Sequence, residues 1–315
     1  MIGVILAAGR GSRMYPFTED LPKPILPIGN RPLLGFQLEQ MRMLGIEDVY
    51  IVVGHLGIRI VHALGDGREY GVRLHYVEQH DTLGLAHALG MLEPYLEQPF
   101  LLFLGDIYFR SRAMVRALDR VRDGEAAAVL LSKVEPDPEM IRRNFVILAD
   151  DGGRVHRVIE KPRHARSQLK GCGLYVFDAH IFDAIRRTPR TALRDEYEIT
   201  ESIQILIEDG EVVRHEAVID ADYNLTRPED LLVINLLELE RLGVDSLIGA
   251  GAQLAPGTVV ERSVIGPGAV IRHPIEIRET VIFPGVVIDT PRNLRHMVID
   301  SANAVPASPG GVLGA

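Results

Sequence analysis

The sequence contains no tryptophan, a single cysteine and no surplus of positive charge. The lone Cys172 excludes an internal disulfide framework and a cysteine-rich zinc site, and it favours a reducing cytoplasmic location. With 34 Lys and Arg against 43 Asp and Glu, the formal charge is −9, which argues against broad binding to nucleic acid or to an anionic membrane. No apolar run approaches the ~18 residues of a membrane span. The N-terminus has no basic region before its apolar run stops at Gly9, so we expect no signal peptide.

What is present favours a globular chain of two domains. The 315 residues are 47% hydrophobic and 24% charged. Short apolar runs predict buried strands at 4–7, 49–53, 74–77, 100–104 and 127–131. The spacing between them predicts helices at 30–44, with Asn30 as N-cap, and at 84–92 and 111–121. This alternation predicts an α/β fold with a mixed, mostly parallel sheet, whose ligands bind at the carboxyl ends of the strands.

The pattern changes after a predicted helix at 228–242, which Pro228 opens and Gly243 ends. An aliphatic residue followed three positions later by glycine then recurs in steps of about six, beginning at Ile248, Leu254, Ile265 and Ile282. This hexapeptide period is typical of a parallel β-helix, here of about three coils over 244–300. Residues 301–315 are predicted to form a flexible tail.

A glycine-rich loop follows the first strand directly, with the sequence Leu6-Ala-Ala-Gly-Arg-Gly-Ser-Arg-Met-Tyr-Pro16. Such a loop lets backbone N–H groups approach phosphate oxygens. A dinucleotide fingerprint lacks its third glycine, because Met14 stands there, and a Walker loop lacks its Gly-Lys-Ser/Thr ending. The third interpretation is a nucleotidyltransferase loop to which Arg13 adds a cation, followed by Lys23 and Pro24.

The paired segments 6–18 and 23–27 resemble the nucleoside-diphosphate-sugar pyrophosphorylases, which are sugar-1-phosphate nucleotidylyltransferases. The resemblance continues to residue 242, in the family's order, through Glu78-Gln-His-Asp-Thr-Leu-Gly-Leu-Ala-His-Ala88, Leu104-Gly-Asp106, Glu160-Lys-Pro162, Gly171-Cys-Gly-Leu-Tyr-Val-Phe177, Glu196-Tyr-Glu-Ile-Thr200 and Pro228-Glu-Asp-Leu231. It is strongest to the long-type glucose-1-phosphate thymidylyltransferases. It implies a Rossmann-like nucleotidyltransferase domain at 1–243 and a left-handed β-helix at 244–300.

The resemblance also implies the substrates and the residues that bind them. An NTP, dTTP or UTP, would react with a sugar 1-phosphate such as glucose 1-phosphate, with Mg²⁺ as cofactor. The implied catalytic residues are Arg13, Lys23, Asp106 and Lys161. The implied nucleotide-binding residues are Leu6, Ala8, Gly9, Gly11, Ser12, Arg13, Gln79 and Gly84. The implied sugar-phosphate-binding residues are Phe145, Glu160, Lys161, Gly171 and Glu196. The implied metal ligands are Asp106 and Asn224.

Two positions depart from the family pattern. Asn224 stands where most members have an aspartate as second metal ligand, and the uridylyltransferases acting on N-acetylglucosamine 1-phosphate resemble it there. Phe145 replaces a glycine whose backbone lies against the sugar, so we expect its ring to crowd or shift the sugar pocket. Two alternatives therefore remain: a uridylyltransferase of that kind, and a regulatory homologue that binds nucleotide and sugar without catalysis. The flat side of the β-helix is a candidate surface for a homo-oligomer, and Cys172 is predicted to be a small core residue.

Overall fold

The computed structural model describes residues 1–164, 166–191 and 195–308. The chain divides into two compact units. Unit 1 comprises 1–9 and 37–222, and unit 2 comprises 10–36 and 223–315. The glycine-rich loop after Gly9 and the helix at 228–242 thus belong to the same unit as the hexapeptide region. The predicted domain limits at 243 and 300 remain a prediction.

The helices and strands of the described residues are as follows. The helices are α1 Leu33–Met43, α2 Gly57–Leu64, α3 Leu85–Gly90, α4 Val115–Arg122, α5 Pro138–Arg142, α6 His180–Arg187, α7 Ile199–Glu208 and α8 Pro228–Leu242. The strands are β1 Ile2–Ala7, β2 Pro27–Ile28, β3 Arg31–Pro32, β4 Asp48–Val53, β5 Arg73–Glu78, β6 Phe100–Leu104, β7 Ile107–Ser111, β8 Ala128–Val134, β9 Phe145–Ala149, β10 Val155–Glu160, β11 Leu169–Phe177, β12 Val213–Glu216, β13 Ile219–Asn224, β14 Leu247–Ile248, β15 Gln253–Leu254, β16 Val259–Glu261, β17 Val264–Ile265, β18 Val270–Ile271, β19 Glu276–Ile282, β20 Val287–Ile288, β21 Leu294–Ile299 and β22 Ala304–Pro306.

Unit 1 is built on a mixed sheet, as predicted. Its main path runs β10-β9-β11-β6-β1-β4-β5, and β8 pairs with β11 and β12. The strands β6, β1, β4 and β5 are parallel, whereas β11 runs antiparallel to β6, β8 and β9. Every residue of β1 is buried, which is expected of a continuous apolar strand covered on both faces. The carboxyl ends of the four parallel strands form one edge of the sheet, called the carboxyl edge below.

Two helix starts differ from the sequence prediction. Asn30 does not cap α1; Gly29 and Asn30 have φ of 56° and 64° and form the turn of the β2–β3 hairpin, and α1 begins at Leu33. Two successive residues with positive φ fit a tight hairpin turn. The segment predicted as a helix from 111 begins instead with the end of β7, and α4 starts at Val115. In both cases the first residues of the predicted helix belong instead to a paired strand or its turn.

The hexapeptide region of unit 2 forms coils that repeat every 17 residues. Parallel strands stack in three rows, which are β14-β17-β19-β21, β15-β18-β20, and β16 with the first part of β19 and β21. Gly251, Gly268 and Gly285 turn the same corner in successive coils, with φ near 70° (72°, 68° and 70°). Glycine adopts this left-handed conformation without steric cost. The predicted hexapeptide β-helix is therefore confirmed as a stack of parallel coils.

A second corner of the coils carries charged residues in place of glycine. Arg262, Glu279 and His296 lie 17 residues apart and have φ of 44°, 43° and 52°. Neighbouring members pair, with Arg262 Nε 3.0 Å from Glu279 Oε1 and His296 Nδ1 3.1 Å from Glu279 Oε2. Non-glycine residues rarely adopt this left-handed conformation, and these three adopt it at the same corner of successive coils.

The segment predicted as a flexible tail is ordered over its first part. β22 pairs antiparallel with β21, Ala307 is fully buried, and its N–H donates to His296 O at 2.7 Å. The outer strand of the last coil offers unpaired backbone groups, which β22 satisfies. Residues 309–315 of the predicted tail lie outside the described residues.

Helix α8 is buried on nearly all sides within unit 2. Residues 231–239 are all buried, and α8 packs against β2, β19 and β21. Asn235 on this helix is fully buried; its Oδ1 accepts from Gly29 N–H at 2.8 Å and its Nδ2 donates to Pro27 O at 3.0 Å. No helix among the described residues has the length and apolar content needed to cross a membrane.

Candidate nucleotide and sugar-phosphate site

Small residues bring the backbone of neighbouring strands together at the carboxyl edge. A Cβ at Gly54, after β4, would lie 2.6 Å from Ala8 O, and a Cβ at Gly105, after β6, would lie 3.0 Å from Leu6 O. Gly105 N–H also donates to Leu6 O at 2.9 Å. Only glycine permits such close approach. The predicted residues Leu6 and Ala8 therefore line the edge at which α/β sheets of this type bind ligands.

Asp106 follows β6 on a tight turn that a buried glutamine holds. Gln37 is fully buried on α1, and its Nε2 donates to both Leu104 O and Ile107 O at 2.8 Å. These two carbonyls flank the Gly105–Asp106 turn, so one amide fixes the backbone that presents Asp106. Sequence reasoning missed Gln37, because one glutamine within a helical pattern carries no distinguishing signal.

Gln79 lies at the end of β5, where its N–H donates to Val53 O at 2.7 Å and continues the β4–β5 pairing. Its side chain is 4% exposed. Gly84, a few residues on, has φ of 115°, and a Cβ there would lie 2.5 Å from Tyr197 O. The structure thus packs the backbone at Gly84 against that of Tyr197, where no side chain fits.

Glu160 and Lys161 end β10 beside the start of β9. Lys161 is exposed and has φ of 42°, and its N–H donates to Asn144 O at 2.8 Å. A positive φ at a lysine is a strained conformation, and such strain is concentrated at functional sites. Glu160 accepts from Thr200 Oγ1 at 3.4 Å, which links the end of β10 to α7.

Phe145 and Gly171 face each other across the β9–β11 pair. The ring of Phe145 covers Gly171, so that a Cβ at Gly171 would overlap the ring, and Phe145 is 5% exposed within the main core. The ring also stacks with Tyr175 at a centroid distance of 6.1 Å. Phe145 is thus a core residue that fills the space beside a glycine, and the crowding of the sugar by its ring remains a prediction. Glu196 is half-buried, and its carbonyl accepts from Thr191 N–H at 3.0 Å.

The remaining predicted residues lie in the loop after β1. Gly9 is exposed at the end of the first segment of unit 1, whereas Gly11, Ser12, Arg13 and Lys23 belong to unit 2. Gly11 has φ of 66°, and its carbonyl accepts from Thr18 Oγ1 at 2.9 Å. A Cβ at Gly11 would lie 3.3 Å from Lys23 Cβ. Ser12 and Arg13 are exposed, as a phosphate-binding role requires, and Lys23 is 9% exposed.

A buried charged cluster, absent from the sequence predictions, lies between β8, β11 and β13. Lys170 Nζ is 2.7 Å from Asp222 Oδ2, and their side chains are 1% and 2% exposed. Lys133 Nζ lies 2.9 Å from Glu135 Oε2 and 3.6 Å from Asp222 Oδ1. Burial opposes the charged form of Lys133, but the hydrogen bond to Glu135 and the charge of Asp222 outweigh it and raise its pKa. Cys172 is buried beside them, as predicted, and desolvation raises the pKa of its thiol.

The sequence implies the Asp106 carboxylate and the Asn224 amide carbonyl as the oxygen ligands of a divalent cation, and this assignment remains a prediction. Asp106 belongs to unit 1 and Asn224 to unit 2. No group of three or more His, Cys, Asp or Glu side chains with metal-site geometry occurs in the described part of the chain. One carboxylate and one carbonyl are hard ligands of the kind that suits Mg²⁺ held mainly by substrate phosphates and water.

The fold and its carboxyl edge define the class of α/β proteins that bind a nucleotide at the ends of parallel strands, here joined to a hexapeptide-repeat region. The chain belongs to the nucleotidyl transferase family, whose model matches residues 2–222, and a GlmU-like C-terminal hexapeptide model matches 235–314. The family, fold class and enzyme class predicted from the sequence are thereby confirmed.

Named relatives agree with this assignment. The chain is 36% identical over 243 residues to the low-salt glycan biosynthesis nucleotidyltransferase Agl11 of Haloferax volcanii, covering 76% of this chain and 66% of that protein. It is 35% identical over 270 residues to a glucose-1-phosphate thymidylyltransferase of Streptomyces griseus, covering 83% and 73%. The chain thus spans about two thirds to three quarters of their lengths. A Bacillus anthracis crystal structure, assigned as a glucose-1-phosphate thymidylyltransferase, superposes with a TM-score of 0.67 at 27% identity, covering 76% of this chain and 95% of that one.

Proposed function

We propose that the chain is a sugar-1-phosphate nucleotidylyltransferase that uses dTTP or UTP and glucose 1-phosphate. The observation that carries this proposal is the carboxyl edge, where Ala8, Gly54, Gln79 and Asp106 follow four adjacent parallel strands. A nucleotide-binding edge of this kind, in a chain whose relatives include thymidylyl- and uridylyltransferases, supports a pyrimidine NTP as the donor.

The reaction needs no nucleophile from the protein. A phosphate oxygen of the sugar 1-phosphate forms a bond to the α-phosphorus of the NTP, the bond from that phosphorus to the bridging oxygen breaks, and pyrophosphate leaves. Catalysis then depends on positioning two polyanions and on offsetting the charge that develops between them. Arg13 and Lys23 would contact the triphosphate, and Lys161 the phosphate of the sugar. Mg²⁺, held by Asp106 and Asn224, would neutralise phosphate charge when bound.

Hydrogen-bonding groups would position the triphosphate and base of the nucleotide and the hydroxyls of the sugar. The backbone of Gly9, Gly11 and Ser12 would approach the triphosphate, while Gln79 and the backbone of Gly84 would meet the base. On the other side, Glu160 would accept from sugar hydroxyls in an orientation supported by Thr200. Phe145, Gly171 and Glu196 would shape the sugar pocket.

Asn224 favours a second candidate, transfer of uridylyl from UTP to N-acetylglucosamine 1-phosphate. Asparagine is the residue that the resemblance implies for that activity, and the hexapeptide region matches a GlmU-like model. This candidate differs from the first in its sugar and in being restricted to UTP, so the same assay separates them.

Pyrophosphate release tests the proposal directly. The protein is incubated with Mg²⁺ and each of ATP, CTP, GTP, UTP and dTTP against glucose, N-acetylglucosamine, galactose and mannose 1-phosphates. We expect turnover with UTP or dTTP and one sugar. The variants Asp106→Ala and Lys161→Ala should lower kcat/KM at least ~100-fold, because each removes a charge that stabilises the transition state.

The exposed Asp151 supplies a matched control, and Asp151→Ala should leave turnover unchanged. No pyrophosphate from any pair, from protein that still binds a nucleotide, would replace the proposal by the non-catalytic regulatory homologue. A cytoplasmic location and homo-oligomerisation are further predictions. Size-exclusion chromatography with light scattering tests homo-oligomerisation.

A further inference from the structure

The amide of Gln79 is held by a hydrogen bond with one chemical direction. Its Nε2 lies 2.8 Å from His87 Nδ1. An amide nitrogen donates and does not accept, so Nε2 is the donor and Nδ1 the acceptor. In this contact Nδ1 of His87 therefore carries no hydrogen. This bond uses one of the two amide hydrogens and fixes which end of the amide faces His87, so we expect a ligand on the other side of the amide to meet Oε1.

Both ends of this contact are attached to fixed backbone. Gln79 extends the β4–β5 pairing through its N–H, and its side chain is 4% exposed. His87 lies on α3, and its ring stacks with Tyr197 at a centroid distance of 6.3 Å and an interplanar angle of 25°.

The backbone of Tyr197 also clamps the segment before His87. Tyr197 N–H donates to Leu83 O at 2.7 Å, and Tyr197 O accepts from Ala86 N–H at 3.0 Å. These two hydrogen bonds hold the backbone just before His87.

We infer that His87 is a specificity-determining residue that sets the base preference by fixing the orientation of the Gln79 amide. The inference rests on the proposed function, in which Gln79 meets the base. Uracil and thymine carry an N3–H donor, which Oε1 accepts. Cytosine has a bare N3 acceptor in the same place, so that two acceptors would face each other. Buried polar groups left unpaired in this way are what reject a near-isosteric substrate. His87 does not touch the base and acts only through Gln79, so it is a positioning residue.

The test compares UTP with CTP, which differ only at positions 3 and 4 of the base. His87→Phe keeps a flat ring but removes the acceptor, so the Gln79 amide can rotate and offer Nε2 to cytosine. We expect the ratio of kcat/KM for UTP to that for CTP to fall about tenfold or more, within the usual discrimination of a directed base contact. His87→Glu supplies an acceptor and no donor, and it should keep the ratio near the wild-type value.

A general loss of activity in a variant lowers kcat/KM for UTP and for CTP alike and leaves their ratio unchanged, because both substrates carry the same triphosphate. His80→Phe is the matched control: His80 adjoins Gln79, but its side chain is 80% exposed, and the ratio should not change. Nitrogen NMR of the free protein adds a readout independent of turnover, with Nδ1 of His87 expected to be unprotonated.

The outcomes separate this inference from the proposed function. Wild-type protein without turnover on any NTP refutes the proposed function, and UTP and CTP affinities measured by calorimetry in the same variants then test His87 alone. An unchanged UTP/CTP ratio in His87→Phe, a protonated Nδ1, or an equal fall in His87→Glu and His87→Phe each overturns the inference, whether or not the enzyme is active.

Discussion

The buried pair of Lys170 and Asp222 gives a prediction about stability whose size follows from the structure. At 2.7 Å and an effective dielectric constant near 20, the two charges attract by about 6 kcal/mol. Each ion loses several kcal/mol of hydration free energy when it is buried, so the attraction within the pair is nearly cancelled by the loss of hydration. When one partner is removed, the remaining buried charge has lost its hydration and no longer has the attraction of an opposite charge to compensate for it.

Replacing one partner should therefore cost far more than replacing both. Asp222→Leu leaves Lys170 buried without its carboxylate, and we expect the free energy of unfolding to fall by about 3–5 kcal/mol. Lys170→Met should fall at the lower end of that range, because Lys133 Nζ remains 3.6 Å from Asp222. The double variant should lie within about 2 kcal/mol of the wild type, since neither member of the pair is then left buried as a charge without its partner.

Urea unfolding followed by far-ultraviolet circular dichroism measures these differences; the chain has no tryptophan to report by fluorescence. Arg73→Met is the control, because the Arg73–Asp48 pair is exposed and its loss should cost less than about 1 kcal/mol. The reasoning is refuted if the cost of the double variant equals the sum of the two single costs, or if Asp222→Leu costs no more than the control.

Three further predictions concern positions near the carboxyl edge and the surface. Gly84→Ala places a Cβ 2.5 Å from a backbone oxygen at a φ of 115°, and it should raise the KM for nucleotide and destabilise the fold by about 1–3 kcal/mol, measured by initial rates and urea unfolding. Gln37→Leu leaves two buried carbonyls without their donor but also removes an amide oxygen that has no partner among the described residues. We therefore expect the free energy of unfolding to fall by about 1–3 kcal/mol in urea unfolding. The turn that holds Asp106 should also loosen, so that initial rates reach their maximum only at a higher Mg²⁺ concentration. The hydrogen bond from Arg73 lowers the pKa of Asp48 from 3.8 to about 2, so its ionised form stabilises the fold fully above about pH 4, and that contribution is lost as the pH falls through 2. Asp48→Asn should cost less than about 1 kcal/mol at pH 7, and the cost should shrink steadily between pH 4 and pH 2 in unfolding measured across that range.

The parallel strands and the coils could be predicted because each leaves a repeating local pattern. The apolar runs at 49–53 and 100–104 match β4 and β6 closely, and glycines 17 residues apart mark one corner of the coils. The hairpin before α1 was missed because Asn30 is equally suited to an N-cap and to a turn with positive φ, and only the pairing of β2 with β3 decides between them.

The supporting contacts of the candidate site lie beyond local patterns. Gln37 is distant in the sequence from the turn it holds, and Lys170 is distant from Asp222, so neither contact has a spacing to detect. The motif predicts Phe145 beside the sugar, which stays a prediction, but it does not predict that the ring packs over Gly171. A motif identifies a position on the chain, but the direction of a side chain depends on the strand that it faces.

The antiparallel strand β22 also prevents another copy from adding a coil to the edge of β21. A stack of parallel coils ends in an open edge that could accept another coil of the same shape, and copies joined in this way would extend into a fibre. β22 covers the edge of β21 in the opposite direction, is only 3 residues long, and places Pro306, which has no N–H, opposite Met297. Removing β22 should therefore expose the edge of β21 to pairing with other copies, which light scattering would detect as an increase in mass.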